Sequence, residues 1–588
     1  MLSAIREIGK LTINQAYHTE KPFDGKVLVI LLDTYNNEQR YSGTEIEDFD
    51  FGKINQYLFK EGASKGNVSS PFCPLTEPQK TYKKIQGWLK QCKDIKDDAF
   101  KSYAQLIDGT FEALVDSKTT IIADITNKIK DIQKKTPIFL TIKLDRKYVG
   151  EYDVFRRCLA LFDEAKRKKS ANTGVCSICC ISDKEVSGKT DVFKFYTIDK
   201  PGFITGGFKE GDAWKNYPVC EDCKIFLENG RKFIDTKLNF KFYGLNYYLI
   251  PNLLIGNMDI LQEILNVLSD TTKAVNLKDR IRKRITNDEN EILEYLSEEK
   301  DILALNFLFI QNQQSAERIL LLVEDVFPSR IRNIFNSKDY VDSIFNNYSD
   351  NGFSFSTIRT FFSKSSEGKK ESDLNKYFLE IVDSVLKGRR LDFSFLLKFY
   401  MMVIRKEFIN DEYFNPRVKD ALMDTMFFEN LGLITFEEVK NMEESIFEDV
   451  FRKYGNTFAS PVKRGLFLTG ALTQMLLNKQ ARERGSKPFM KKLKGLKMNE
   501  QDIKSLLPAI QNKFEEYNSF GKGKKLVAEE AYNYLFSSGD KWNLSVDEIN
   551  FYFAGGMNLV RKIKDIIYAK GEKDIDMEED VKSNKTNE

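Results

Sequence analysis

The chain has 588 residues, 90 of them basic and 87 acidic, a formal net charge of +3 and 42% hydrophobic residues. This composition is that of an ordinary globular protein, and the length predicts several domains rather than one core. Apolar runs such as residues 26–32 are too short for a membrane helix, and residues 1–10 lack the apolar core of a secretory signal. We therefore expect a cytoplasmic protein that has no membrane partner.

A single histidine, His18, occurs in the sequence. Ser-His-Asp hydrolases and histidine-ligated zinc peptidases need imidazoles in defined surroundings, and no motif surrounds His18. We predict a surface or capping role for this residue. The segment SGKTD at residues 187–191 is not a phosphate-binding loop, because Asp183 stands where the first glycine is required. An ATPase is therefore not expected.

Residues 1–310 are predicted to form a mixed α/β region. Apolar runs typical of buried strands occupy residues 26–33, 137–145, 242–254 and 303–311. Helical patterns fill residues 78–133, between the first two strands. Residues 60–74 combine Gly, Ser, Pro and Lys, which predicts an exposed loop.

Two Cys-x-x-Cys pairs, Cys176 with Cys179 and Cys220 with Cys223, are the clearest chemical feature of the chain. A two-residue spacer lets both sulfurs of one turn reach one ion, and two such pairs complete a tetrahedral four-thiolate zinc site. Such a site leaves no position for water, so it is structural rather than catalytic. We predict a zinc-ribbon-like insertion at about 174–226 that binds one structural Zn²⁺.

Alternatives to this zinc site stay open. Cys180 directly follows Cys179 and is a second possible partner for Cys176, although the shorter spacing is the usual one. The four thiols can also be buried without an ion. A redox pair is less favoured, because no strand-then-helix pattern surrounds either pair.

From about residue 315 the pattern turns helical, with apolar residues at three- and four-residue steps. One apolar helical face runs from Ile503 to Tyr517, and Pro508 inside it predicts a kink or a break. A last helix pair, or one long helix, is expected over residues 543–571. Together these patterns predict an α+β fold. Its parts are an N-terminal α/β region (1–275) with the zinc-binding insertion, a mixed to helical middle region (276–400), a C-terminal helical bundle (401–570) and a polar tail (571–588).

Positive charge concentrates in residues 463–525, which hold 15 Lys or Arg against 5 Asp or Glu. A nucleic-acid backbone binds such a surface by charge and counterion release, and Phe489 within it is suited to stacking on a base. The predicted contact residues are Lys463, Arg464, Arg482, Arg484, Lys487, Lys491, Lys492 and Lys494. The alternative is an ordinary solvated helix face.

The order of these features resembles a known family. The segments that carry the resemblance are YLFKEGASKGNVSSP (57–71), CSIC (176–179), CEDC (220–223), YYLIPNLL (247–254), KRGLFLTGALTQMLLNKQ (463–480) and RGSKPFMKKLKGLKM (484–498). This ordered set spans nearly the whole chain. It resembles the large subunit of the type I-B CRISPR interference complex, Cascade.

The resemblance implies a subunit that is not an enzyme. Such subunits contact the CRISPR guide RNA, read the motif that flanks the target in invader double-stranded DNA, help to open the duplex and line the path of the displaced strand, while base pairing reads the sequence. The implied partners are the backbone, guide-end and guide-processing subunits of Cascade and a separate helicase-nuclease. The C-terminal bundle is similar to a Cascade small subunit.

The resemblance also implies particular nucleic-acid contacts. The exposed loop near DNA contains Lys65, Gly66 and Asn67: Gly permits close backbone approach, Lys meets phosphate and Asn pairs with a base edge. A second group of implied contacts to guide RNA or DNA consists of Lys166, Arg167, Lys168 and Lys169. An ordinary flexible loop and a solvated basic run are the alternatives.

Two other classes of function stay open. One is a zinc-ribbon, magnesium-dependent nuclease or transposase-like enzyme, which would use carboxylates; single acids such as Asp33 do not exclude it. The other is a zinc-stabilised scaffold that binds only proteins. Neither is supported by a motif of its own.

In relatives of this family a separate small subunit can arise by translation from an internal start. Met442 is the candidate start, because FEEVKNM (436–442) precedes it and codons for Glu437 to Val439 can spell a purine-rich ribosome-binding sequence. Alternative starts are Met401, Met402, Met423 and Met426. An ordinary internal methionine is the other alternative.

Overall fold

The computed structural model of the chain describes residues 1–13, 25–59, 70–96, 98–133, 136–190, 192–193, 195, 209–256, 258–269, 303–313, 316–345, 352–366, 368–410, 413–437 and 445–568. Several residues of the sequence analysis lie outside these ranges: His18, Lys65, Gly66, Asn67, Met442 and the tail. The chain divides into two compact units. The first unit contains residues 2–236 and 312–318, and the second contains Met1 and residues 237–311 and 319–588. The predicted α+β class is confirmed, and the finer division at residues 275 and 400 stays a prediction.

The larger sheet of the first unit has the strand order β2-β1-β4-β3, with β5 paired to β4. Its strands are β1 Lys26–Tyr35, β2 Glu38–Asp48, β3 Cys73–Pro74, β4 Ile138–Leu144 and β5 Lys147–Tyr148. β1 and β4 are parallel, whereas the other pairs are antiparallel. Parallel neighbours need a long crossover, and three helices supply it: α2 Pro78–Lys93, α3 Ala104–Asp116 and α4 Lys118–Lys130. The strands predicted at 26–33 and 137–145 and the helices predicted over 78–133 are confirmed. The exposed loop predicted at 60–74 is wrong for its last residues, because residues 70–73 are buried and β3 begins at Cys73.

Strand β1 is buried on both faces, which explains its uninterrupted apolar sequence. Side chains alternate between the faces of a strand. Leu28 and Ile30 pack into the core that contains Trp88 of α2. Val27 and Val29 pack on the opposite face, in a cluster with the aromatic residues Tyr57, Phe72 and Tyr148.

A smaller sheet of the first unit has the order β6-β7-β8 and is antiparallel throughout. Its strands are β6 Ala171–Gly174, β7 Lys184–Ser187 and β8 Val219–Cys220, and it is flanked along the chain by α5 Asp153–Lys168 and α6 Glu221–Lys237. Helix α1, Leu2–Thr12, packs closely on α6. A Cβ built on Gly9 would lie 1.7 Å from the carbonyl oxygen of Phe226, and one on Gly230 would lie 2.1 Å from that of Ile5.

The sheet of the second unit has the order β12-β11-β10-β9. Its strands are β9 Asn239–Phe242, β10 Leu245–Leu253, β11 Leu303–Gln313 and β12 Ala316–Val326. The strands predicted at 242–254 and 303–311 are confirmed, but the prediction of helix from residue 315 is wrong for β12. The apolar run 319–323 is too short for its hydrophobic period to distinguish a strand from a buried helix. Its hydrogen-bonded pairing with β11 makes it a strand.

Twelve helices of the second unit lie in the described ranges: α7 Met258–Ser269, α8 Pro328–Phe345, α9 Phe355–Phe361, α10 Asn375–Lys387, α11 Phe393–Asn410, α12 Phe414–Asn430, α13 Glu448–Lys453, α14 Pro461–Arg484, α15 Glu500–Glu516, α16 Lys522–Ser537, α17 Val546–Asn558 and α18 Val560–Tyr568. The predicted C-terminal bundle is confirmed, and it ends in a helix pair. Of the kink or break predicted at Pro508, the break is wrong, because α15 continues through this residue, and the kink stays a prediction. Proline removes one helical hydrogen bond, and the buried side chains around it, among them Ile503 and Phe514, hold α15 together. In the described ranges no helix combines the length and the apolar character needed to cross a membrane.

Helix α14 is the centre of the C-terminal bundle. Of its 24 residues, 15 are buried, in an almost unbroken run. A helix buried all round needs neighbours on every side, and α15, α16, α17 and α18 all contact it. Its crossing with α17 depends on glycine: a Cβ on Gly470 would lie 1.9 Å from the carbonyl oxygen of Phe553, and one on Gly556 would lie 1.8 Å from that of Phe467.

We predict that Gly556→Ala destabilises the second unit by about 1–3 kcal/mol, because the added methyl group forces α14 and α17 apart. The measurement is the denaturant midpoint, followed by helical circular dichroism. Gly555→Ala is the matched control. Its Cβ would lie 3.8 Å from the nearest atom, on Leu422, and alanine is the better helix former. That variant is expected to be at least as stable as the parent, and equal losses in both variants would contradict the glycine-dependent crossing.

Candidate metal centre and nucleic-acid surface

The four cysteines predicted as zinc ligands come together in the first unit. The sulfur atoms of Cys176, Cys179, Cys220 and Cys223 all lie within 4.8 Å of one another, and those of Cys179 and Cys220 are 3.9 Å apart. In a tetrahedral site with Zn–S bonds of about 2.3 Å, sulfurs are separated by roughly 3.8 Å. Cys179 is half-buried and the other three are buried. The cluster is therefore compatible with one structural Zn²⁺.

Local backbone structure brings the two cysteine pairs together. Cys176 and Cys179 lie in the connection between β6 and β7, Cys220 ends β8, and Cys223 lies in the first turn of α6. The Ser177 N–H donates to the Pro218 carbonyl at 2.8 Å and so joins the two turns. The Cys220 N–H donates to Cys176 Sγ at 3.4 Å. Such donors stabilise the thiolate form that a metal ion binds.

The cysteines differ in how readily they lose a proton. Burial opposes ionisation of Cys176, but backbone N–H donors, including those of Cys179 and Cys220, lower its pKa to about 7. Burial raises the pKa of Cys223, and the neighbouring thiols raise it further. Arg6 of α1 lies close enough to Cys223 for its positive charge to interact with the sulfur. A four-thiolate zinc centre carries two negative charges, so a nearby guanidinium lowers the cost of burying it.

Cys180 lies outside the cluster. Its side chain is exposed, and its φ of 58° places it in the left-handed region. Its N–H donates to the Cys176 carbonyl at 2.9 Å, which closes the turn that presents Cys179. The geometry therefore favours Cys179 over Cys180 as the partner of Cys176.

Arg167 is a structural residue, which corrects the expectation that it contacts nucleic acid. Its guanidinium pairs with Glu185 at 2.5 Å and with Glu221 at 3.0 Å, and its side chain is 14% exposed. These pairs tie the end of α5 to β7 and α6. Its neighbours Lys168 and Lys169 are exposed, whereas the side chain of Lys166 is not described.

The segment with Lys65, Gly66 and Asn67 lies outside the described ranges, but the residues on either side of it are described and lie together. Ser70 Oγ donates to the Leu58 carbonyl. Phe59 packs edge-on against Phe72, with 5.9 Å between ring centroids. Phe72 in turn stacks on Phe139 of β4 at 4.7 Å. The aromatic cluster on the sheet thus holds both ends of the segment in place.

The basic run after α14 separates its apolar from its charged side chains. Pro488–Leu493 form a short 3-10 helix. The buried side chains are those of Phe489, Leu493, Leu496 and Met498. The exposed ones are those of Arg482, Arg484, Lys491, Lys492, Lys494 and Lys497. We call these six exposed residues the basic surface.

Hydrogen bonds from three buried or half-buried side chains fix the backbone beneath the basic surface. Gln480 Oε1 accepts from the Phe489 N–H at 3.0 Å. Arg405 Nε donates to the Leu496 carbonyl at 2.8 Å. Asn550 bonds both the N–H and the carbonyl of Met498. The cations therefore project from a preorganised loop, which lowers the ordering cost of binding.

Three residues predicted to contact nucleic acid face the interior instead. Arg464 is 5% exposed and pairs with Glu448 at 2.8 Å. Lys463 is half-buried, with its Nζ 4.6 Å from the centre of the Phe436 ring. Phe489 is 4% exposed, so it cannot stack on a base. The reason is that α14 has no exposed side chain as far as Gln480, and its exposed side chains lie in its last turn. We therefore correct the predictions for Lys463, Arg464 and Phe489.

Other predicted cations remain at the surface but have neighbours of their own. Lys494 pairs with Asp502 at 2.6 Å. The Arg484 guanidinium lies 5.1 Å from the centre of the Tyr517 ring. Lys487 is half-buried. Lys491, Lys492 and Lys497 are therefore the clearest positions at which to test the surface.

Two further exposed cations, Lys522 and Lys525, were not among the predicted contacts. They lie in the first turn of α16. Lys525 is 5.8 Å from the ring of Phe520, three residues after Tyr517, on which Arg484 lies. Both lysines belong to the basic excess over residues 463–525. The two ring contacts relate them to Arg484, because Tyr517 and Phe520 are only three residues apart in the chain.

We expect the purified protein to contain one Zn²⁺ per chain, measured by metal analysis without chelators. Cys179→Ser should lose zinc and increase hydrogen exchange over residues 174–226, while the helices of the second unit stay protected, because the metal organises only its own surroundings. Cys180→Ser is the matched control and should retain the ion. Absence of zinc from the parent, or equal zinc loss in both variants, would contradict the site.

Three models of one protein family match successive parts of the chain. The N-terminal domain of CRISPR-associated protein TM1802 matches residues 1–160, its central domain matches residues 173–326, and its C-terminal domain matches residues 353–571. The first range contains the larger sheet, the second the cysteine cluster and the third the bundle with the basic surface. No curated protein matches the chain. The three matches occur in order over most of the sequence, and the chain therefore belongs to the CRISPR-associated TM1802 family, in agreement with its resemblance to the large subunit of a type I-B Cascade complex.

Proposed function

We propose that the protein is the non-enzymatic large subunit of an RNA-guided interference complex. In this role it binds guide RNA and invader double-stranded DNA, reads the flanking motif, helps to unwind the duplex, stabilises the R-loop and recruits a separate helicase-nuclease. The observation that carries the proposal is the preorganised basic surface in a chain of a CRISPR-associated family. Base pairing with the guide supplies the sequence specificity that such a surface lacks.

The basic surface suits the backbone of a nucleic acid rather than its bases. Its members are lysines and arginines, which neutralise phosphates without reading sequence. Phe489 beneath them is buried, so this part of the bundle offers charge without base stacking. We assign it to the displaced DNA strand.

The flanking motif is assigned to the first unit. The segment with Lys65, Gly66 and Asn67 supplies residue types that approach, neutralise and read DNA. Two contacts support this assignment. The Ser70–Leu58 hydrogen bond joins the ends of the segment, and Phe72 stacks on Phe139 of β4, which holds these ends against the sheet. Exposed Lys168 and Lys169, with Lys166, are assigned to guide RNA or DNA.

The cysteine cluster supports the fold of the subunit rather than a reaction. Four thiolates around Zn²⁺ would fill its coordination sphere, so an ion held there would organise β6, β7, β8 and the start of α6. The fit of the four sulfurs to a tetrahedral site is the basis for assigning zinc. The other Cascade subunits, those of the backbone, the guide end and guide processing, are the proposed protein partners.

The test of this function reverses charge at Lys491, Lys492 and Lys497 together, each to Glu. In the assembled complex, binding to DNA that matches the guide should weaken for all flanking motifs alike, because phosphate contacts carry no sequence information. The salt dependence should fall by about 0.9 per lost contact for duplex DNA and about 0.7 for a single strand. Binding is measured by titration at several salt concentrations.

A control variant reverses three other exposed cations of the second unit, Lys364, Lys370 and Arg390. It changes the net charge equally and is expected to bind nearly as the parent does. Equal losses in both variants would show a general charge effect, and unchanged binding in the first variant would contradict the basic surface.

We further propose that Met442 begins a second product, a small subunit of 147 residues ending at Glu588. The competing starts Met401 and Met402 lie inside α11, and Met423 and Met426 lie inside α12, so they would begin within a helix. The fragment from Met442 would keep α13 to α18. It would lose the partners of α17 on α11 and α12, such as Phe393, whose ring centre is 5.9 Å from that of Phe551.

Expression of the native gene with a C-terminal tag should yield a short tagged product, identified by intact mass. It should co-purify with the complex, because loss of α11 and α12 exposes an apolar face of α17 that is expected to bind another protein. Synonymous recoding of Glu437 to Val439 together with Met442 replacement should abolish the product. Its persistence after these changes, or its absence from the native gene, would show that Met442 is not the start.

A further inference from the structure

The end of the described chain lies beside an exposed group of cations. Helix α18 ends at Tyr568, and a Cβ built on Gly523 would lie 3.2 Å from Cβ of Ile567. Gly523 is the second residue of α16, between Lys522 and Lys525, whose side chains are exposed. The first turn of α16 has no acidic residue. The chain therefore leaves the bundle at a positively charged corner.

The sequence that follows this corner has the opposite charge. Residues 572–580, EKDIDMEED, contain six acidic side chains and one lysine. Glu572 is the fourth residue after Tyr568, and an extended chain spans at most about 3.6 Å per residue. The first acids are thus within about 14 Å of the end of α18.

We propose that the acidic segment 572–580 binds intramolecularly to Lys522 and Lys525 and competes with nucleic acid for this end of the bundle. A tethered segment has an effective concentration in the millimolar range, so weak contacts suffice. Exposed ion pairs are individually weak, so a guide-paired DNA that makes many contacts displaces the segment. Nucleic acid that makes few contacts does not, and the segment thereby suppresses binding without a guide match. The competition rests on the proposed function, whereas the contact itself does not.

The contact is tested on the full chain without nucleic acid. Carbodiimide joins carboxylates to amines in direct contact, and mass spectrometry locates the bonds. We expect cross-links from residues 572–580 to Lys522 or Lys525 at low salt and their loss at about 1 M salt, where the screening length is about 3 Å. Failure to cross-link either lysine, or cross-links that resist salt, would overturn the contact.

The competition is tested with a variant in which the six acids become amides: Glu572→Gln, Asp574→Asn, Asp576→Asn, Glu578→Gln, Glu579→Gln and Asp580→Asn. Its affinity for single-stranded DNA without a guide match should rise on the order of three- to tenfold at low salt, since two or three weak ion pairs are removed. The same six changes in a Lys522→Gln, Lys525→Gln background should have no effect.

The outcomes separate this inference from the proposed function. An equal gain in both backgrounds would show long-range repulsion and overturn the competition for Lys522 and Lys525. An unchanged affinity in both would overturn it as well. If cross-links form but no variant binds DNA, the contact with Lys522 and Lys525 is retained. The proposed role of the C-terminal bundle in nucleic-acid binding is then refuted.

Discussion

The burial of α14 on every side is the constraint on which the second unit depends. A helix with 15 buried residues out of 24 cannot face solvent, so α15 to α18 must surround it. The close contact of Gly470 with the backbone of α17 sets how closely α14 and α17 approach each other. Because the apolar run ends near Gln480, charge first becomes exposed at the last turn, and this is why the basic surface begins there.

The smaller sheet of the first unit has very short strands, and their connections meet at the cysteine cluster. β6, β7 and β8 are two to four residues long, and strands so short are marginal without further support. The cysteine cluster supplies a point where the β6–β7 connection, β8 and α6 meet. The close packing of α1 on α6 at Gly9 and Gly230 extends this order to the start of the chain.

Local patterns in the sequence predicted the strands, the bundle and the cysteine pairs, because each depends on neighbours along the chain. Burial set by distant contacts could not be predicted in this way. Arg464 and Arg167 looked like surface cations, yet Glu448 and Glu185 lie against them in the fold. The hydrophobic period of β12 also fits a helix, and its pairing with β11 is not contained in that local pattern. The choice between Cys179 and Cys180 likewise needed the backbone geometry of the turn.

The chain on either side of residues 60–69 is held together by contacts near residues 59 and 70. Contacts of Ser70, Phe59 and Phe72 fix the positions of the two described ends. Doubling the length of a loop costs only about 0.6 kcal/mol of closure entropy, so insertions and deletions here are cheap. Changes in the length of residues 60–69 are therefore expected to leave the packing of the sheet largely unaltered.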